Sequence, residues 1–177
     1  MNEQEPFADL LEMSHRHREE HGCSAYPYDK GSLLRVLAAG LAPARIVEVG
    51  TAIGYTSVCM AHSAPAALVD TIDFDPEHVR LAMSHFAHYG VADRVTAHCG
   101  DAGDVLPALP RGAYDLAFFD GFAPSAPILT ELRRLLRIGG TLVCANLTLG
   151  GDGDRLLCDT DDWLSHFFGE TALAVRR

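Results

Sequence analysis

The chain has 177 residues, 48% of them apolar and 21% charged, which suits one globular domain that needs no disulfide or metal staple. Its 14 Lys plus Arg against 24 Asp plus Glu leave a net charge of −10, with no basic run beyond Arg133, Arg134 and Arg137, which excludes nucleic-acid binding as the main task. No apolar stretch of about 18 residues is present, the acidic start Met1–Pro6 lacks a signal core, and five scattered cysteines without a CxxC pair point to reduced thiols in a cytoplasm.

The charged stretch with His15, Arg16, His17, Arg18, Glu19, Glu20 and His21 reads as an N-terminal helix with a solvated face. Its histidine spacing would allow only adventitious metal capture. Leu33, Leu34, Leu37 and Leu41 mark a helix stopped by Ala42-Pro43, and Arg45–Val49 is a short β-branched strand. Ile53–Ser63 then reads as a helix opened by a glycine-containing turn, and Leu68–Phe74 as the second strand. Asp75-Pro76-Glu77 is a strong helix start, with a capping oxygen, proline at the first position and an acid in the first turn. Val79, Ala82, Met83 and Phe86 line the inner face of that helix, with His85 and His88 on its solvated side. Arg94–Cys99 is the third strand, Asp101–Leu109 a short helix and Tyr114–Asp120 the fourth strand. Ile128, Leu129, Leu132, Leu135 and Leu136 mark a helix closed by Gly139-Gly140, followed by the strand Thr141–Ala145. Residues 147–161 read as a loop, and Trp163–Phe168 and Thr171–Arg176 as a hairpin turning on Gly169-Glu170.

Such alternation predicts a single α/β domain over 1–177: an open, mostly parallel, Rossmann-like sheet with helices on both faces and an antiparallel C-terminal hairpin. Ligands of these sheets sit beyond the carboxyl ends of the strands, so the strand-end residues are the candidates for chemistry. Gly50 permits a tight turn out of the first strand, Gly54 lets the next helix pack closely, and the Thr51 and Thr56 hydroxyls can face a ligand. Asp73, 23 positions after Gly50, can accept both hydroxyls of a ribose, while Asp75 serves better as a helix cap. Asp101 can accept from an adenine amino group or cap the next helix, and Asp120 ends a hydrophobic strand where a structural acid is unusual. With Glu48, four acids surround one crevice and would repel a pyrophosphate. The glycine spacing is not G-x-G-x-x-G either, since Ala52 and Tyr55 hold the later positions. A cationic sulfonium carrying ribose, adenine and an amino-acid tail fits: S-adenosylmethionine.

Glu48-Val-Gly50-Thr-Ala-Ile-Gly54-Tyr55-Thr56 resembles the E-x-G-x-x-x-G-Y-S/T signature of class I S-adenosylmethionine-dependent O-methyltransferases of the catechol and caffeoyl-CoA type. The likeness extends through Lys30-Gly31-Ser32-Leu33-Leu34, Asp73-Phe74-Asp75-Pro76, Gly100-Asp101-Ala102, Phe118-Phe119-Asp120 and the last strand, covering residues 22–177. It implies that Glu48, Gly50, Tyr55 and Thr56 hold the methionine end and that Asp73 and Phe74 hold the ribose and the adenine face. Asp101 and Ala102 would take the adenine edge, and Ala25, Tyr26 and Pro27 would line the cofactor from the other side. Residues 1–30 would form a cap that also supports a homodimer.

The metal-dependent relatives use an Asp after the fourth strand, an Asp-Asn pair after the fifth and a Lys three residues past the first Asp. Here Asp120 and Asn146 remain, but Ala145 replaces the second Asp and Ala123 the Lys, while Lys30 is the only lysine. Two oxygen ligands, one a neutral amide, make a poor Mg²⁺ or Ca²⁺ site, so no tightly held metal is expected. The expected function is methyl transfer to a hydroxyl of a small acceptor, with Asp120, a histidine or a tyrosine as the base. Two alternatives stay open: a nicotinamide-binding oxidoreductase, or a non-catalytic S-adenosylmethionine-binding protein.

Overall fold

The computed structural model describes residues 7–24 and 26–177; the acidic start and Ala25 lie outside them. The elements run α1 (Ala8–His21), α2 (Gly31–Leu41), β1 (Arg45–Val49), α3 (Tyr55–Ser63), β2 (Leu68–Asp73), α4 (Pro76–His88), β3 (Val95–Cys99), α5 (Ala102–Val105) and β4 (Tyr114–Phe119). They continue with α6 (Ala126–Leu135), β5 (Leu136–Cys144), α7 (Gly153–Leu157), β6 (Trp163–Phe168) and β7 (Thr171–Arg176). The strands form one seven-stranded sheet in the order β3-β2-β1-β4-β5-β7-β6. β1 to β5 pair in parallel, and β7 runs antiparallel between β5 and β6.

Alternation along the central strands divides the core between two faces. Ile46, Leu116, Phe118 and Val143 pack with Leu10, Leu34, Val58 and Phe86 from α1 to α4. Val47, Val49, Ala117, Phe119 and Leu142 pack on the other face with Leu129, Leu132 and Leu135 of α6. Buried on both sides, these strands read as unbroken apolar runs. Chain order reverses between β1 and β4, and a crevice opens there at their carboxyl ends. No helix among the described residues is long and apolar enough to cross a membrane.

Four details differ from the expectation. Leu136 leaves α6 with extended backbone and pairs with Tyr114, so Gly139 and Gly140 lie inside β5 instead of closing the helix. A Cβ on Gly140 would stand 2.9 Å from the Arg137 carbonyl oxygen and 3.2 Å from that of Tyr114, at an irregularity in the pairing. Residues 147–161 hold a 3₁₀ turn, Leu147–Leu149, and α7, pinned where Gly153 packs on Pro124 and Leu157 is buried. Met83 is 58% exposed, so the inner face of α4 is Val79, Ala82 and Phe86. On that helix His85 is half-buried and its Nδ1 lies 2.8 Å from the Ile53 carbonyl oxygen, which ties α4 to the glycine turn.

Candidate active site

A cavity of about 980 Å³ lies over the carboxyl ends of β1, β2, β3 and β4. Gly50 sits at its floor with φ +98°, and a Cβ there would come within 2.7 Å of the Asp120 carbonyl oxygen. Only glycine lets the two chain turns close on each other here. The Asp120 amide donates to the Val49 carbonyl at 2.8 Å, which fixes the turn after β4 beside the turn after β1.

Asp73, Asp101 and Asp120 all border this cavity, as do Tyr26, Phe74 and Ala102. The Asp73 carboxylate is almost buried and accepts from the Ala52 amide at 2.7 Å and the Asp75 amide at 3.0 Å; His78 Nδ1 lies 3.2 Å away. Two backbone donors and an imidazole hold it rigid: Oδ1 takes the Asp75 amide and the His78 contact, and Oδ2, which takes only the Ala52 amide, keeps a lone pair for a further donor. Asp75 caps α4 through the Glu77 amide at 2.8 Å. Asp101 caps α5 through the Gly103 amide at 2.7 Å and also borders the cavity. Phe74 turns out of the strand end and is 75% exposed, an apolar ring left bare at the rim. The Tyr26 ring is 67% exposed and carries the Arg18 guanidinium 3.5 Å from its centroid.

Asp120 accepts from Asn146 Nδ2 at 3.0 Å, and the same amide donates to the Gly121 carbonyl at 2.8 Å. Asn146 thus presents its donor to Asp120, the wrong polarity for two groups sharing a cation. Burial, and then the Glu48 charge, push the Asp120 carboxyl well above its usual range, against the Asn146 hydrogen bond.

Two of the expected contacts are redirected. Glu48 is fully buried and absent from the cavity wall; its carboxylate accepts from Thr56, Ser57 and, at 2.6 Å, Thr71. Burial raises its pKa although these hydroxyls favour the charge. Gly54 also lies off the cavity: at φ +96°, a Cβ there would stand 2.7 Å from the Phe86 ring, so its smallness serves the packing of α4. Thr51, Tyr55 and Thr56 border a smaller hollow of about 20 Å³, room for roughly one water. That hollow shares Tyr26, Tyr28, Gly50 and Asp120 with the main cavity.

Several cavity residues escaped the sequence argument, three of them able to carry charge near the acids. Lys30 lies on the wall although it is 90 residues before Asp120, and Glu170 reaches it from the hairpin turn. His78 does so as well; burial opposes its charge, but Asp73 raises its pKa to about 9. No strand-end motif marks these positions: Lys30 precedes α2, His78 lies in the first turn of α4 and Glu170 in the hairpin turn. His166 is exposed, its ring 6.3 Å from that of Phe168, and it does not border the cavity. His17 does not have the solvated surroundings expected of it: it is half-buried, its ring stacks at 4.9 Å on that of His21, which is exposed as expected, and it meets His78 at 5.1 Å.

Residues 47–147 match the family described as "Methyltransferase domain", and the chain belongs to that family. Among the curated relatives, the catechol O-methyltransferase of Mycobacterium tuberculosis is 33% identical over 135 residues, 75% of this chain. The match spans 60% of that relative's length. Among solved structures, the O-methyltransferase TomG from Streptomyces achromogenes, in complex with SAM, superposes with a TM-score of 0.81 at 27% identity, over 95% of this chain and 89% of its own. An O-methyltransferase from Bacillus cereus, in complex with SAH, shares the fold with a TM-score of 0.83 at 17% identity, over 99% of this chain and 94% of its own. The comparisons give no support to the nicotinamide-binding alternative.

Proposed function

We propose that this chain is an S-adenosylmethionine-dependent methyltransferase that acts on a hydroxyl of a small acceptor. The observation that carries the proposal is the convergence of Asp73, Asp101 and Asp120 on one cavity, where the turn at Gly50 leaves no room for a Cβ against the Asp120 carbonyl. The likeness to TomG, solved with SAM, supports the same cofactor here.

The residues fit such a guest. Asp73 would accept from the ribose, Phe74 and Ala102 would cover the adenine, and Asp101 would take its amino edge. Gly50, Thr51, Tyr55, Thr56 and Tyr26 would surround the methionine end, with Glu48 and Gly54 acting one layer behind. Bound there, the sulfonium supplies an electrophilic methyl group, and its transfer to oxygen leaves a neutral thioether. Three carboxylates near a cation are mutually compatible, whereas without it they repel one another. Asp120 would face the incoming hydroxyl from the cavity wall, and its raised pKa supports a role in receiving that hydroxyl's proton. The remaining acceleration comes from alignment of acceptor and donor in a shielded cleft. Ala145, Ala123 and the Asn146 amide aimed at Asp120 support a reaction that needs no Mg²⁺ at this position. The net charge of −10 supports a small molecule over a nucleic acid as acceptor. A cytoplasmic homodimer in which residues 1–30 cover the site completes the proposal.

Calorimetry with S-adenosylmethionine and NAD, followed by a transfer screen over phenols, catechols and carboxylates, tests it. Binding of S-adenosylmethionine alone, with methyl transfer to a phenol or catechol, is the expected result. Binding without transfer to any acceptor would leave the non-catalytic alternative standing.

A further inference from the structure

At the rim of the cavity, α1 and the segment after it meet the first turn of α4, and they bring imidazoles and a thiol together. The donor atoms of His17, Cys23 and His78 lie within 4.8 Å of one another. The His78 side chain is only 3% exposed, with Nδ1 3.2 Å from Asp73 Oδ1 and a buried Nε2 that has no hydrogen-bond partner among the described residues. His17 Nε2 is likewise buried and without one. Buried ring nitrogens left in this way are costly unless something occupies them. The contact from Asp73 to Nδ1 orients the His78 ring and leaves Nε2 to act as a ligand, the arrangement a metal-binding histidine requires.

We propose that His17, Cys23 and His78 form a binding site for a divalent transition metal, zinc by its chemistry, with water in the fourth position. Two imidazoles and a thiolate favour such an ion over Mg²⁺ or Ca²⁺, which take oxygen ligands. Tetrahedral zinc with these donors needs ligand separations of about 3.3–3.8 Å, so the three atoms close by about 1.5 Å at most. Binding releases the Cys23 proton, and any proton on His78, to solvent. The ion would clasp α1 onto α4 at the edge of the cavity. It is separate from Asp120 and Asn146 and stands whether or not the methyltransferase proposal holds.

Chelator-treated, tag-free protein titrated with Co²⁺, then with Zn²⁺ in competition, decides the matter. One equivalent of Co²⁺ with a near-ultraviolet thiolate charge-transfer band is expected, with the band lost in Cys23→Ser. Zn²⁺ affinity should fall at least about tenfold in Cys23→Ser and His17→Asn and stay unchanged in His88→Asn. A Zn²⁺-dependent rise in melting temperature should accompany binding in the parent protein and be absent from Cys23→Ser. Circular dichroism confirms that each variant is folded; if His78→Asn is not, the other two carry the test. Absence of the thiolate band, or equal affinity in the parent and both variants, overturns the proposal. So does loss confined to His21→Asn, which would place the ion in the overlapping set of His21, Asp75 and His78.

Discussion

Asp120 is held by the fold in a state that favours its proton. Burial and the Glu48 charge raise its pKa, so the folded chain binds that proton more tightly than the unfolded one. The stability this contributes is complete below the unfolded value of about 4 and is lost as pH rises through the folded one. Asp120→Asn keeps an acceptor for Asn146 and removes the buried charge. It should raise the melting temperature at neutral pH, by about 2–4 °C for each kcal/mol recovered, and flatten the decline toward alkaline pH. Methyl transfer should fall at the same time by about 10²-fold or more if Asp120 is the base. Melting curves from pH 5 to 9 beside single-turnover rates check both. At Asp73 the expected result is a loss of S-adenosylmethionine affinity of about 1–2 kcal/mol on substitution by Ala, from missing charge-assisted hydrogen bonds. Unchanged calorimetric affinity in that variant would remove the ribose assignment. Gly50→Ala meets both a positive φ and the Asp120 carbonyl, and should cost about 2–3 kcal/mol of stability in denaturant unfolding.

Between elements, Glu48 shows how a motif residue can serve the site without touching it. Its carboxylate, at the end of β1, accepts from Thr56 and Ser57 of α3 and from Thr71 of β2. Three elements that carry the glycine turn are thereby fixed to one another. Glu48→Ala strands three buried hydroxyls and should destabilise the fold by about 2–4 kcal/mol. Glu48→Gln, which can still pair with them, should retain near-parental affinity for S-adenosylmethionine. If Glu48→Gln weakens binding as much as Asp73→Ala, the carboxylate has a direct role that its buried position hides. At the opposite ends of the strands Asp70 does comparable work, accepting from Arg45 of β1 and Tyr114 of β4 at 2.8 Å, with His98 of β3 at 2.9 Å. Burial opposes its ionisation, but these partners hold its pKa below the usual carboxylate value, so the stability it lends fades as pH falls through that lowered value.

For the whole molecule, ion dependence tests the proposed reaction without Mg²⁺. Activity lost to a chelator should not return with Mg²⁺, whereas recovery with Zn²⁺ would belong to the His17, Cys23 and His78 cluster. Rate measurements with each ion added back after chelation make the distinction, and recovery with Mg²⁺ would show that Ala145 does not disable the site after β5. The homodimer is checked by light scattering behind size exclusion, where a mass near twice 19.1 kDa is expected. Val36 and Leu41 of α2, 70% and 44% exposed, are apolar surface that such an interface would cover.

Local rules carried most of the architecture because local physics decides it. Proline after Asp75, the double apolar runs of β1 and β4, and Gly169 in the hairpin turn each admit few backbone solutions. The site's strand-end acids were legible for the same reason, since a parallel sheet delivers every strand end to one edge. What the sequence could not settle was orientation and company. Whether Glu48 faced the cavity or the core, whether two glycines ended a helix or bent a strand, and whether Lys30 or His78 would arrive at the rim depended on contacts between residues tens of positions apart. Those contacts exist only once the helices have packed on both faces of the sheet, because side-chain direction is set by the neighbours a residue acquires and not by the residues beside it in the chain.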